Sequence, residues 1–275
     1  MKKVFCLFFT AVLLVCFLCG CSAADEKDEE TAETAAETSE PESLSDKWEN
    51  FRGNMPNDKN MEDDLRDSDY ISELKRFMSS DEGFSVKYEE LSKATGINDN
   101  ELIERTNGGW TARVIYFGPD IINMAVTDAS VANKYVFLQM TNGVEKYFMT
   151  VCDGGYEFPV DLLLFNDNGL PTAVVVSRYA TSYPEGAILE AYTIVNGEIE
   201  TAEIFGEYSP EGIKTEKFGG GVLFESGYED GTAVGDIQRL GVSVDQNSGD
   251  ISLSHGENTF IFSFDGEKYI MNRSE

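Results

Sequence analysis

The chain is short of the side chains that most often carry enzyme chemistry. It has a single histidine, His255, and five cysteines, of which Cys6, Cys16, Cys19 and Cys21 fall within the first 21 residues and leave Cys152 alone beyond them. One imidazole and one distal thiol exclude a Cys/His zinc centre, which takes four such ligands, or three and a water. No intramolecular disulfide can form within the region beyond residue 21, and a domain of this length can build a core without one. Positive charge is scarce too. Lys and Arg total 21 against 50 Asp and Glu, for a net charge of −29. Such a surface repels phosphate backbones and anionic headgroups, so nucleic acid is excluded as an expected partner. After residue 19 no apolar run approaches the roughly 20 residues of a membrane-spanning helix. There is no Gly-x-Ser-x-Gly elbow. Gly219-Gly220-Gly221 lacks both the spacing of a phosphate cradle and a following helix, and reads as a bulge or flexible loop.

The N-terminus holds the most specific signal. Lys2 and Lys3 precede an apolar run from Val4 to Phe17, which ends in Leu18-Cys19-Gly20-Cys21. Basic start, short apolar core and small residues before a cut site make an export signal. The ending resembles a lipobox, the signal of bacterial lipoproteins, with Cys19 standing where the family usually has Ala, Ser, Thr or Val. The resemblance implies cleavage before Cys21, acylation of Cys21 (palmitate among the acyl groups), and residence on the extracytoplasmic face of the cell membrane. The lipid would supply the membrane affinity that the charge opposes. An uncleaved transmembrane helix is the alternative. The run is short for that, and Asp25 and Glu26 follow it instead of a basic stop-transfer cluster.

Four regions follow from composition: a signal over 1–20, a lipidated cysteine with an acidic tether over 21–45, a helical and loop-rich region over 46–107, and an antiparallel β domain over 108–275. The tether is acidic except for Lys27 and holds little apolar surface to offset chain entropy. Met61, Leu65, Ile71, Leu74 and Met78 recur near helical spacing. Residues 88–106 read as two short helices around Gly96, the second capped by Asn98 or Asp99. They superficially resemble a helix-turn-helix, but Glu89, Glu90, Asp99, Glu101 and Glu104 outnumber Lys93 and Arg105, against DNA binding.

From Trp110 onward, Val-, Ile-, Phe-, Tyr- and Thr-rich runs alternate with turn dipeptides: Asn142-Gly143, Asp153-Gly154, Asn168-Gly169, Asn196-Gly197, Asp230-Gly231 and Asp265-Gly266. The intervals are too short for crossover helices, so the sheet should be antiparallel. The expected fold class is mainly β with a small helical N-terminal part: repeated hairpins in an open sheet, a sandwich or a propeller-like arrangement. Predicted strands cover 112–117, 135–140, 145–151, 160–165, 173–178, 189–195, 198–205, 242–245, 250–254, 259–264 and 268–271. Residues 160–176 with 189–200 resemble the blade texture of FG-GAP and VCBS-type β-propellers. That family's calcium loop is represented only by Asn166-Asp167-Asn168-Gly169.

Several candidate chemistries remain. A nucleophilic dyad would have to pair Cys152 with His255, in a turn between strands; a small buried thiol is the competing reading of Cys152. Paired carboxylates of a glycosidase type are available throughout so acidic a chain and single out no pair. Calcium is the metal best suited to the compartment, and Asp245, Asn247 and Asp250, or Asp58, Asn60 and Glu62, are the candidate ligands, although neither set fits an EF-hand. For recognition, the loop at 177–187 stands out with Arg178, Tyr179 and Tyr183, since Tyr offers contact area at low entropy cost and Arg a planar donor fork. The leading expectation is a lipid-anchored protein whose β domain binds a protein or glycan, with no cofactor and no catalysis of its own. A surface hydrolase using carboxylates and a structural subunit of an envelope complex are the alternatives.

Overall fold

The computed structural model describes residues 42–53, 69–118, 134–155, 157–167, 169–180, 185–226, 228–229, 232–233 and 240–274. They belong to one compact unit, Pro41–Glu275. The polypeptide is mainly β. Among the described residues four short helices come first: α1 (Leu44–Gly53), α2 (Asp69–Met78), α3 (Asp81–Ser85) and α4 (Tyr88–Thr95). Three antiparallel sheets follow. The first is a meander of β1 (Asn100–Asn107), β2 (Trp110–Phe117), β3 (Lys134–Thr141) and β4 (Lys146–Gly155).

The central sheet holds β5 (Glu157–Asp167), β6 (Leu170–Ala180), β7 (Glu185–Val195), β8 (Glu198–Thr201), β9 (Lys214–Phe218) and β10 (Gly221–Ser226), in the order β5-β6-β7-β10-β9. The outer edge of β7 is shared. Glu185–Glu190 pair with β10, and Tyr192–Val195 pair with β8. A two-stranded ladder, β11 (Tyr228–Glu229) and β12 (Thr232–Ala233), precedes the last meander. That third sheet runs β13 (Leu240–Val244), β14 (Ile251–His255), β15 (Asn258–Phe264) and β16 (Tyr269–Ser274).

The sheets pack in series, and the burial pattern shows how. Successive strand residues point to opposite faces. On the central sheet Leu162, Leu164, Ala173, Val175, Tyr192 and Ile194 join Ala112, Val114, Val136, Leu138, Met140 and Cys152 of the first sheet in one core. The alternate residues, among them Leu163, Val174, Val176, Leu189, Val222 and Phe224, join Leu240, Ile251, Leu253, Phe260, Phe262 and Tyr269 of the third sheet in another. With both faces buried, the middle strands read as unbroken apolar runs such as Ala173-Val174-Val175-Val176 of β6, not as an alternation. Polar ties hold the layers in register. Arg105 on β1 pairs with Asp161 on β5 at 2.7 Å, and Gln246, beyond β13, donates to the same Asp161 oxygen at 2.8 Å.

A third core joins the outer face of the first sheet to the helices. Ile115, Phe117, Tyr135 and Phe137 meet Trp48, Tyr70, Ile71, Leu74, Met78 and Leu91. Arg113 and Gln139 share that face. The buried guanidinium donates to the carbonyls of Phe84 (2.7 Å), Gly83 (3.3 Å) and Val86, and to Gln139 Oε1 (3.2 Å). Gln139 donates onward to Met78 O at 2.5 Å. These carbonyls lie at or just beyond the C-terminal ends of α2 and α3, where a helix has no N–H donors of its own for its last carbonyls. Glu104 Oε2 lies 3.2 Å from Arg113 Nε, close enough for charge attraction, though the Nε–H is not aimed at it as a hydrogen bond.

The helical part departs from expectation in three places. Helix α1 begins at Leu44, inside the stretch expected to be tether, because Ser43 Oγ accepts from Asp46 N and the Asp46 carboxylate accepts back from Ser43 N, a capping box. Gly96 ends α4 in the left-handed conformation. The second expected helix is instead β1, paired with β2 along its whole length from Asn100↔Phe117 to Asn107↔Trp110. Glu101, Leu102, Ile103 and Arg105 suit a helix locally, but eight ladder pairs and the Gly108-Gly109 turn override that preference. The boundary expected at 107/108 therefore falls within a hairpin. Strand 198–205 stops at Thr201. Beyond it the chain crosses to the third sheet, where Phe205 stacks on Tyr269 at 5.2 Å.

Candidate functional site

The central sheet carries the most perturbed acid of the described residues. Glu190 and Tyr192 alternate along β7 with Leu189 and Ala191, so they share the face turned toward the first sheet. Glu190 is half-buried, and its Oε2 has no hydrogen-bond partner among the described residues. Burial pushes its carboxyl up to about 7; the charge of Glu157 on β5 pushes in the same direction, and the Tyr192 hydroxyl pulls back. Burial raises Glu157 as well. Tyr192 is driven far above the ordinary phenol range, by burial first and by Glu190 next. Cys152, buried on β4, lies close to both Tyr192 and Tyr116.

Gly221 on β10 stands opposite Glu190 in the ladder. A Cβ there would come within 2.8 Å of Phe218 Cζ and 3.0 Å of Glu190 Cγ, so only glycine lets the Phe218 ring fold over the strand beside the Glu190 stem. Phe218 remains 40% exposed. The result is a carboxyl that keeps its proton close to neutrality beside a half-open aromatic, with the charge of Glu157, level in the ladder with Gly186 of β7, acting on it from the same sheet. It can donate a hydrogen bond to a neutral acceptor. It is a poor hydrolytic pair, because acid catalysis by two carboxylates needs their environments to push the pKa values apart, and here burial pushes both upward.

The residues singled out from sequence do not gather around this place. Arg178 and Tyr179 are not loop residues. They lie in β6, paired with Ala187 and Gly186 of β7. This shortens the expected 177–187 loop to residues 181–184, which contain Tyr183 and lie outside the described residues. The Arg178 side chain is exposed. His255 ends β14 near Gly212, half-buried, with its imidazole lowered by burial. Cys152 belongs to the core between the first and central sheets, while the strand of His255 contributes to the core between the central and third sheets. The dyad is therefore not assembled.

The 245–250 segment closes as a tight turn. Asp245 Oδ1 accepts from Asn247 N at 2.8 Å, and Asp245 N donates to Asp250 O at 2.9 Å. Backbone N–H donation, from Asn247 foremost, holds the Asp245 carboxyl below its ordinary value. Its lone pairs thus serve the turn itself. At the FG-GAP-like turn, Asn166 Nδ2 donates to Gly108 O at 2.8 Å and ties the β5 end to the β1–β2 hairpin. Residues 58–64, the other calcium candidate, and Cys21 lie outside the described residues. Among the described residues no group of three or more His, Cys, Asp or Glu could hold a metal ion. Gly219-Gly220 makes the β9–β10 hairpin turn, and Gly221 opens β10 opposite Phe218. Among the described residues no helix is long and apolar enough to cross a membrane.

Sequence reasoning misses Glu190 because it reads as one acid among many in an acidic chain. The signal is local: "ILEAYTI" places an acid in the middle of a mostly apolar run of a strand buried on both faces. Comparison with protein families, with curated proteins and with solved structures finds no match.

Proposed function

We propose that this chain is a bacterial envelope lipoprotein, anchored through lipid on Cys21, whose sheet stack serves as a binding module on the extracytoplasmic face of the membrane. The observation that carries the reading is the lipobox-like Leu18-Cys19-Gly20-Cys21 after a short apolar run. The start of the compact unit near Pro41 supports it, since the acidic stretch between Cys21 and α1 is long enough to hold the domain up to about 70 Å from the bilayer if extended. Arg178, at the exposed end of β6, with Tyr179 and Tyr183 beside it in sequence, is the recognition edge of this reading. A protein or glycan of the envelope is its partner.

The test is made on the native protein in its own cells. The mature N-terminus is an acylated Cys21 by mass spectrometry, and Cys21→Ala moves the protein out of the membrane fraction or leaves it unprocessed. An unacylated N-terminus, or unchanged membrane association of the Cys21→Ala chain, overturns the anchor.

A carboxylate hydrolase is the second reading, and the raised Glu190 is what favours it. A proton held to about pH 7 could be given to a leaving-group oxygen. The upward shift of Glu157 counts against it. Loss of glycan cleavage in Glu190→Gln, with the fold intact, would establish that reading over a binding module.

A further inference from the structure

We propose that Asn196 is a site of spontaneous covalent modification: deamidation of the Asn196-Gly197 turn, with the chemically equivalent Asn142-Gly143 held inert by its hydrogen bonds. In this reaction the backbone nitrogen of the following glycine attacks the asparagine Cγ. The new C–N bond forms as Cγ–Nδ2 breaks, ammonia leaves, and water opens the resulting succinimide to aspartate or isoaspartate. No oxidant or reductant is needed, and the only co-reactant is water. Glycine at the second position removes the side chain that would hinder the attack.

The two dipeptides differ in what holds them. At Asn142 both reacting groups are engaged. Gly143 N, the nucleophile, donates to Thr141 Oγ1 at 3.0 Å. The Asn142 side-chain carbonyl accepts from Val144 N (3.0 Å) and Glu145 N (2.8 Å), and its Nδ2 donates to Glu145 Oε2 at 2.8 Å. At least the Gly143 bond and the Oδ1 pair must open before the ring can close.

Asn196 has none of this. It is exposed and makes no side-chain hydrogen bond among the described residues. It sits with Gly197 in a two-residue turn closed by Val195↔Glu198, with φ of 52° and 86°. Asn196 is the only non-glycine residue at positive φ among the described residues, so the turn is held in a conformation that most side chains avoid. Ring closure requires the peptide after Asn196 to swing out of the hairpin. Strand β8, which must loosen for that, is four residues long and exposed at three of them. The product adds a negative charge next to Glu198 and, as isoaspartate, lengthens the backbone of the turn by one carbon.

Incubation of the full soluble chain at mildly alkaline pH, followed by tryptic mapping, separates the sites, because Tyr135–Lys146 contains Asn142 alone and Tyr179–Lys214 contains Asn196 alone as asparagine. The expected result is acid accumulating in the second peptide at least about tenfold faster than in the first, the lower bound for opening three neutral hydrogen bonds. In denaturant the two rates converge, and Thr141→Val combined with Glu145→Ala raises the Asn142 rate in the folded chain. Equal rates in the folded chain, or faster conversion of Asn142, overturn the proposal. So does a rate difference that persists unchanged in denaturant, because it would then belong to the sequence alone.

Discussion

The two ends of the sheet stack are built from the same element and finish differently. The first and third sheets are both four-stranded antiparallel meanders, and both give one face to the central sheet. The other face of the first sheet carries Leu102, Ile115, Phe117, Tyr135, Phe137 and Phe148 and is roofed by helices. The equivalent face of the third sheet carries Ser243, Ser252, Ser254, Thr259, Ser263 and Asn272, with Ile261 and Ile270 among them, and has no charged residue at its described positions. Small hydroxyl side chains solvate a terminal sheet and leave only isolated apolar surface, at Ile261 and Ile270, as a capping repeat does in a stacked protein. Strand pairing thus decides that a sheet forms, and the alternate residues decide whether it becomes an interior layer or an end.

The largest expected effect lies at the roofed end. Arg113→Met leaves the carbonyls of Gly83, Phe84 and Val86 and the Gln139 amide oxygen without their donor in a buried setting. It should cost about 3 kcal/mol or more in urea unfolding. Backbone exchange should rise first in α2 and α3. A neutral substitution would mean that apolar packing alone holds the roof.

A smaller effect is expected in the central sheet. The native Glu190 carboxyl keeps its proton up to about pH 7, whereas the unfolded chain releases it near 4.5. Between those values the native state binds the extra proton, so stability falls as pH rises and levels off above 7. Glu157 adds in the same sense. After allowance for partial exposure the Glu190 loss should be about 2 kcal/mol. Glu190→Gln should flatten most of that slope and stabilise the protein at pH 8. An unaltered slope in Glu190→Gln would place the titration elsewhere.

The smallest effect tests the open end. Ser252→Lys, on the bare face of the third sheet, should change stability by no more than about 0.5 kcal/mol. A loss of several times that would show the face to be covered, and the contrast between the two ends would fail.

Much of this architecture is legible in the order of the amino acids. The hairpins from Trp110 on, the Asn-Gly and Asp-Gly turns and the antiparallel pairing rest on local chemistry: positive φ at the turns and β-branched or aromatic runs between them. Strand β1 is hidden because Glu, Leu, Ile and Arg also suit a helix, although Asn107-Gly108-Gly109 is a turn signal of the same kind. Strand β9 is hidden because Lys214, Glu216 and Lys217 mark an edge, where charge is tolerated and even protective. The stretch at 177–187 reads as a loop from its residue types, but Ser177–Ala180 and Glu185–Ala187 are ladder residues whose partners lie across the hairpin, not among their neighbours in the chain.

The sequence by itself determined most of the strands from Trp110 on, where most of the hairpins turn, and that the chain is strongly acidic, because each depends on a residue and its near neighbours. Only the tertiary structure decided that the sheets stack in series, that the central one is buried on both faces, and that Glu190 is the most strongly raised acid among the described residues. The pKa of a carboxyl follows from what surrounds it in space: Phe218 is brought to Glu190 from another point along the chain by strand register, and the charge of Glu157 reaches it from β5 across the same sheet.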